Sequence, residues 1–221
     1  MFSVIIRVKN EERWIGHTIQ SVLDFIPKNE IIIINNNSND DSIKICNLFN
    51  KNKKLNSETS KYTDIKILDI NQYTPGKALN LGIKHANYDN IMIISAHCVI
   101  KKFDPSKITQ LLKSTPAIFG KQIPIYNGKK ITPRYIWSHF GEEEKFNLFS
   151  TMENRFFFHN AFSFFSKNIL CQHPFDEELE GKEDRYWVNE LVPKKFQYLY
   201  CPDFICDHHF TVNGNTWKGI G

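Results

Sequence analysis

Two adjacent carboxylates, Glu183 and Asp184, open a helical stretch just after Gly181 and run into Tyr186 and Trp187. A carboxylate pair shielded by aromatic rings can hold one member as a general base. Other polar groups have the types needed to grip an anionic ligand. Arg7, Asn10 and Glu12 belong to a loop that precedes a helix N-terminus, where backbone N–H groups favour anionic or polar atoms. Asn35 and Asn36 begin a run of short polar side chains that continues through Asp40 and Asp41. Asp40 or Asp41 suits the cap of the next helix, while the two amides are free to read a base edge. Gly76 allows a tight turn at a helix start and Lys77 adds a cation there, a plausible diphosphate contact, with Asn80 one turn later. Ser95-Ala96-His97-Cys98 puts an imidazole directly after an apolar run. Cys201, Cys206, His208 and His209 match no standard structural zinc spacing, so a single histidine there is the better candidate for a ligand or phosphate contact.

The elements that carry these groups alternate regularly through residues 1 to 100. Phe2 to Val8 reads as a buried strand, Glu12 to Phe25 as a helix stopped by Pro27, and Glu30 to Ile34 as a strand buried on both faces. Ser42 to Asn50 is helical, the polar stretch Lys51 to Tyr62 reads as an exposed loop, and Ile65 to Ile70 is a third strand. Gly76 to His85 is a helix behind Pro75, and Ile91 to Ile94 is a fourth strand ending at Ser95. This alternation predicts an α/β fold, a mostly parallel sheet with helices on both faces, whose ligands bind beyond the carboxyl ends of the strands. The second half is less regular. Phe119 to Ile125, Phe162 to Phe165 and Phe196 to Cys201 read as strands, and Glu183 to Leu191 as a helix.

With 221 residues and 41% hydrophobic side chains the chain suits one soluble domain, 1–221. A net charge of +4 is far below a nucleic-acid-binding footprint. The five cysteines are odd in number, scattered and never spaced C-x-x-C, which fits a reducing compartment. The N-terminus lacks a signal-peptide core, and no apolar run approaches the roughly 20 residues of a membrane span. A cytoplasmic location is expected, with peripheral contact at the inner membrane face left open.

Taken in order, SVIIRVKNEERWIGHTIQSVL, EIIIINNNSNDDS, PGKALNLGIKHA and FDEELEGKEDRYW resemble the family-2 glycosyltransferases over nearly the whole chain. The resemblance implies a GT-A (Rossmann-like) fold whose residues 1–100 bind a nucleotide-sugar and whose residues 101–221 bind the acceptor and carry the base. It implies an inverting single displacement onto an acceptor hydroxyl, in a family most often set in surface polysaccharide or glycolipid synthesis. By position Asp184 is then the base with Glu183 beside it. Arg7, Asn10, Glu12, Asn35, Asn36, Asp40, Gly76, Lys77, Asn80, Ser95, Ala96 and His97 fall on the donor side. Asn160, Arg185 and Trp187 fall on the acceptor side, where a saccharide or lipid-linked saccharide is expected.

The family's D-x-D metal motif falls on Ser95-Ala96-His97, so both carboxylates are missing. The chain resembles a branch of the family with this same S-A-H-C sequence and an I-R-x-x-N-E-E-R-W opening, so the change need not mean a dead enzyme. Two accounts stay open: His97 with His208 or His209 holds a divalent metal (Mn2+ suits imidazole better than Mg2+), or the phosphates meet lysine and histidine directly. The aromatic segments around Phe146 and Phe156 to Phe158 fit a sugar-stacking wall, Phe162 to Phe165 read as core, and the Phe cluster is also a candidate membrane contact. The rival readings are a degenerate nucleotide-sugar-binding module and a sugar-nucleotide nucleotidyltransferase. The latter wants a glycine-rich loop where RVKNEE has no glycine.

Overall fold

The isoleucine run becomes the most deeply placed strand of the first half. In the computed structural model, which describes residues 1–26, 28–51, 64–130 and 135–217, β2 (Asn29–Asn35) is buried along its whole length. Its side chains alternate across the sheet, Ile31 and Ile33 entering one apolar core and Ile32 and Ile34 the other. β1 (Phe2–Val8) pairs in parallel with β2 and with β4 (Asn90–Ile94), and β2 pairs in parallel with β3 (Asp64–Asp69). The connecting helices are α1 (Ile15–Phe25), α2 (Ser42–Lys51) and α3 (Pro75–His85). The stop at Pro27 and most of the loop read over Lys51 to Tyr62 lie outside the described residues.

After β4 the chain turns through Ser95-Ala96-His97 into β5 (Cys98–Lys102) and α4 (Pro105–Leu111). β6 (Ala117–Tyr126) follows, and then five short elements cross the acceptor half. These are β7 (Lys129–Lys130), a 3₁₀ turn (Tyr135–His139), β8 (Lys145–Phe146), β9 (Phe149–Ser150) and β10 (Arg155–Phe156). β11 (Phe162–Ser166), α5 (Lys167–Gln172), α6 (Glu183–Leu191) and β12 (Leu199–His209) follow, with 3₁₀ turns at Val192–Lys194 and Asn215–Trp217. The main sheet runs β3-β2-β1-β4-β11-β6-β12-β5. β11 is antiparallel to both β4 and β6, whereas β12 is parallel to β6 and antiparallel to β5. A mostly parallel, helix-flanked sheet is therefore the architecture, with antiparallel insertions in its second half.

β12 extends well past the expected Cys201. An irregularity between Cys201 and Ile205 absorbs Pro202, Asp203 and Phe204, and pairing resumes as far as His209. α1 begins later than expected because Glu11 and Glu12 are used in the preceding loop rather than in the helix. Phe162, Phe164 and Phe165 are fully buried, as are Phe157 and Phe158, so this cluster is core and offers nothing to a membrane. Among the described residues no helix is long and apolar enough to cross a membrane.

Candidate active site

The tips of β1 and β4, the start of α6 and the segment after β12 enclose a cavity of about 400 Å3. Arg7, Lys9, Glu11, Ser95, Ala96, His97, Asn160, Glu183, Asp184 and Arg185 all line it, so residues from both halves of the sequence meet there.

Its floor is held by a latch between the loops after β1 and β2. The N–H of Asn39 donates to Asn10 Oδ1 at 2.8 Å, that of Glu12 to Asp40 Oδ2 at 2.9 Å, and that of Asp41 to Glu12 Oε2 at 2.9 Å. Asp40 also accepts from the N–H of Ser42 at 3.0 Å, so it fixes the loop by capping α2. Asn10, at φ 53°, turns the chain so that Glu11 faces inward. The side-chain acceptors of Asn10, Glu12 and Asp40 thus serve the latch, and within this loop Arg7, Lys9 and Glu11 face the cavity.

Several donor-side candidates have other work. Asn35 donates to Asp69 Oδ1 at 2.7 Å and accepts from the N–H of Ser38 at 3.0 Å, leaving Asn36, half-buried, as the looser of the two amides. Asn80 donates to the Phe175 carbonyl and to Glu177 Oε1, both at 2.9 Å, and accepts from the N–H of Phe175 at 3.0 Å. It clamps the segment leading into α6 and has no amide hydrogen-bonding face left for a diphosphate. A Cβ added at Gly76 would stand 2.0 Å from the Asp176 carbonyl oxygen, so this glycine serves close backbone approach. Lys77 is half-buried and lies outside the cavity lining.

At the opposite wall α6 starts behind Lys182, held at φ 59°, which aims the first turn into the cavity. Carboxylates in a first helical turn gain from the unpaired N–H groups there. Asp184 Oδ2 accepts from the N–H of Asn160 at 2.9 Å, while Oδ1 accepts from the N–H of Arg185 at 2.8 Å and from its guanidinium at 3.2 Å. A carboxylate oxygen has two acceptor positions, so Oδ2 keeps one free for a proton. Glu183 accepts from Arg7 at 2.8 Å. Burial works to lower the Arg7 pKa, but Tyr73, Glu183 and Asp184 outweigh it and raise it, so the guanidinium stays charged.

Arg185 lies over the Phe157 ring at 4.6 Å and donates to Glu153 Oε1 at 3.2 Å, an oxygen that also accepts from the Tyr135 hydroxyl at 3.3 Å. Trp187 is not part of this wall. It packs among Phe158, Phe165, Phe175 and Phe196, and its N–H donates to the His173 carbonyl at 2.7 Å, which makes it a core residue.

A buried line of side chains leaves the cavity through His97. Its Nδ1 is 3.1 Å from Glu11 Oε1, and its Nε2 is 3.1 Å from Nε2 of His208. His208 Nδ1 is 2.9 Å from Gln122 Oε1, and Gln122 Nε2 is 3.0 Å from His159 Nδ1. Burial first, then the neighbouring His97 and His159, holds His208 well below the usual imidazole range, so it is neutral at pH 7. His209 points to the other side of β12 and stacks on Trp14 at 3.9 Å, and burial with nearby cations lowers it to about 4. The strand alternation thus admits His208 and removes His209 from any ligand set. Glu11, Gln122 and His159 are the members of this line that no sequence signal joins, because their partners lie 37 to 86 residues away.

The parallel first half, its reversal at β11 and a cavity over the strand tips define a GT-A glycosyltransferase fold. The chain belongs to glycosyl transferase family 2, whose family profile matches residues 3–179. Poly-beta-1,6-N-acetyl-D-glucosamine synthase of Staphylococcus epidermidis is 34% identical over 119 residues, 52% of this chain and 26% of the synthase. S. aureus TarS 1-349 in complex with UDP-GlcNAc superposes with a TM-score of 0.68 at 16% identity, over 100% of this chain and 61% of that one. The mannosyltransferase PcManGT of Pyrobaculum calidifontis, solved with GDP-Man and Mn2+, gives a TM-score of 0.70 at 15% identity, over 96% of this chain and 58% of that one. This chain therefore spans about a quarter of the curated synthase and about three fifths of each of these two structures.

A divalent metal has a fitting donor set here, although no carboxylate stands at Ser95 or His97. His97 at the cavity wall and His208 buried behind it turn imidazole nitrogens towards each other, the first ring is backed by a carboxylate, and imidazole suits transition metals. Glu144, Cys201 and Asp203 also bring ligand-type atoms together, but Glu144 and Asp203 are exposed and Lys107 already pairs with both.

Proposed function

We propose that this chain transfers one sugar from a nucleotide-sugar donor to an acceptor hydroxyl with inversion, in the assembly of a surface polysaccharide or glycolipid. The observation that carries the reading is Asp184: a carboxylate fixed by three hydrogen bonds at the cavity wall, with one acceptor position of Oδ2 unfilled. The donor's diphosphate would lie near Ser95, Ala96 and His97, with Lys9 and Arg7 supplying positive charge. The acceptor hydroxyl loses its proton to Asp184 as its oxygen bonds to the anomeric carbon, and the bond from that carbon to the phosphate oxygen breaks on the opposite face. Arg185 holds Asp184 in place, and Glu183 is held by Arg7, so neither carboxylate has to reorganise during transfer.

His97 and His208 would hold a divalent metal. Its chemistry there is to neutralise charge on the departing diphosphate. The acceptor is a saccharide, free or lipid-linked. Phe146, Phe149 and Met152, exposed within a short stretch of the acceptor half, are the apolar side chains available for a peripheral membrane contact.

The test is a calorimetric panel of nucleotides and nucleotide sugars with and without Mn2+, followed by product analysis with the donor that binds. Binding of one nucleotide sugar and its transfer support the reading. Binding of a nucleotide sugar without transfer would replace it with the degenerate-module reading, and absence of binding to every member of the panel would overturn both.

A further inference from the structure

The protons along the buried line can be assigned from one group that cannot reverse its role. The backbone N–H of Ala161 points at His159 Nδ1 at 3.3 Å, so that nitrogen must carry a lone pair. The Gln122 atom 3.0 Å from the same nitrogen must then be the amide N–H2, which turns Gln122 Oε1 towards His208. An amide oxygen only accepts, so His208 Nδ1 carries the hydrogen across 2.9 Å and its Nε2 is bare. At the other end the Glu11 carboxylate accepts from His97 Nδ1 at 3.1 Å, so the nitrogen of His97 left to take a further cation, a proton or a metal, is Nε2. The two Nε2 atoms, that of His208 with its lone pair, therefore face each other across 3.1 Å inside a site where His208 is fully buried and His97 is 8% exposed.

Lone pairs on both nitrogens would repel at that separation, so the gap calls for a cation: a proton shared by the two rings, or a metal that displaces it. We infer that Glu11 and Gln122, the latter oriented by His159 and Ala161, are positioning residues that preset His97 and His208 as an Nε2,Nε2 pair for one divalent transition metal. The family's paired carboxylates bring negative charge to a metal directly. Here Glu11 delivers it through an imidazole, and Gln122 holds the second imidazole without adding charge. Groups that accept from the far nitrogen of a ligating histidine fix its ring and raise its basicity, and their loss typically costs about 10- to 100-fold in metal affinity. The inference rests on the transferase reading only for the use made of the metal; the donor pair stands on its own hydrogen bonds.

The test uses the full chain with Mn2+ and Co2+ alone as probes. Long-range 1H–15N correlation of 15N-histidine protein without metal is expected to show His97 and His208 protonated at Nδ1 and His159 at Nε2. A hydrogen on Nε2 in place of Nδ1 of His208, or a His97 without a hydrogen on Nδ1, overturns the inference, and this readout needs no variant. Wild-type protein should bind one Mn2+ by calorimetry, and Co2+ should give absorption bands of nitrogen ligation. Gln122→Met, which removes the acceptor, should weaken Mn2+ about 10- to 100-fold. Gln122→Glu keeps an oxygen facing His208, although its second oxygen meets the lone pair of His159 Nδ1, and should weaken Mn2+ less than Gln122→Met does. Glu11→Gln should weaken it about tenfold through loss of charge. Equal losses in Gln122→Met and Gln122→Glu would mean a merely structural glutamine and overturn the assignment. Nucleotide-sugar binding with no metal binding would overturn it while leaving the transferase reading intact; metal binding with no nucleotide-sugar binding would do the reverse.

Discussion

Arg7 at the tip of β1 donates to Glu183 at the start of α6 across 2.8 Å, joining groups 176 positions apart in the chain. Their side chains are 20% and 7% exposed, so the pair is mostly shielded from water. Losing one partner of a buried pair strands the other, at a cost of about 3–5 kcal/mol when both are fully enclosed. Because Arg7 keeps some solvent, Arg7→Met should cost about 2–3 kcal/mol in urea unfolding. Adding Glu183→Gln to that variant should recover part of the loss, because it removes the stranded charge. A double variant less stable than Arg7→Met alone would show that Glu183 draws its support from elsewhere.

Asp184→Asn should lower kcat by about 100- to 10,000-fold, the usual contribution of a general base. Donor affinity should stay within a few-fold, because the proposed base would meet the acceptor rather than the donor. The substitution also carries a structural cost. Oδ1 and Oδ2 both face N–H donors, so the new amide nitrogen must point at one of them wherever it is placed. Two opposed donors in a buried site cost about 1–3 kcal/mol, so a lowered melting temperature should accompany the lost turnover. Steady-state kinetics beside thermal melting separates the two effects, and unchanged kcat would remove Asp184 from the role of base.

The sheet was readable where a single strand carries its own evidence. β2 announces itself by consecutive isoleucines, and α3 by Thr74 and Pro75 at its start, with Thr74 accepting from the N–H of Lys77 at 3.2 Å. The order of the four motifs put Glu183 and Asp184 at one cavity with His97. What the sequence hid was long-range use of polar groups. Asn80 looks like a ligand because an amide inside a helix has no local purpose, yet its partners are Phe175 and Glu177, 95 and 97 residues away. Pro202 and Asp203 disguised the continuation of β12, and without that strand nothing distinguished His208 from His209. Once β12 is known to reach His209, simple alternation separates them.

Gly76→Ala tests whether this glycine serves the phosphates or the packing of α3 against residues 175–178. In an ordinary helix interior the change would stabilise by up to about 1 kcal/mol. Here the new Cβ would approach the Asp176 carbonyl oxygen to 2.0 Å, and a backbone atom has little freedom to yield. A net loss of about 1–3 kcal/mol is expected from the forced displacement. Asn80→Ala should destabilise by a similar amount, since it leaves the N–H and carbonyl of Phe175 without their partner. Chemical denaturation of both variants decides the point, and gains in stability would show that the segment yields freely.

Asp40 supplies a pH-dependent test of the latch beneath the cavity. Burial tends to raise its pKa, but hydrogen bonds from Ser42 and the N–H of Glu12 prevail and hold it below the usual 3.8. A carboxylate depressed in the folded state binds fewer protons there than in the unfolded chain when the two are compared near that pH. Its stabilisation is therefore complete above the unfolded value and disappears as pH falls through the folded value. The stability gap between wild type and Asp40→Ala should be widest near pH 7 and begin to narrow below about pH 4. Much of Asp40 faces solvent, so the titrating part of the gap should be below about 1 kcal/mol. The hydrogen bonds to Glu12 and Ser42 make a further contribution, part of which a protonated carboxyl can still provide, so some gap should survive at pH 3. Urea midpoints measured for both proteins from pH 7 to pH 3 read this directly. A gap that stays constant across that range would mean that the loop is held by its neutral hydrogen bonds alone.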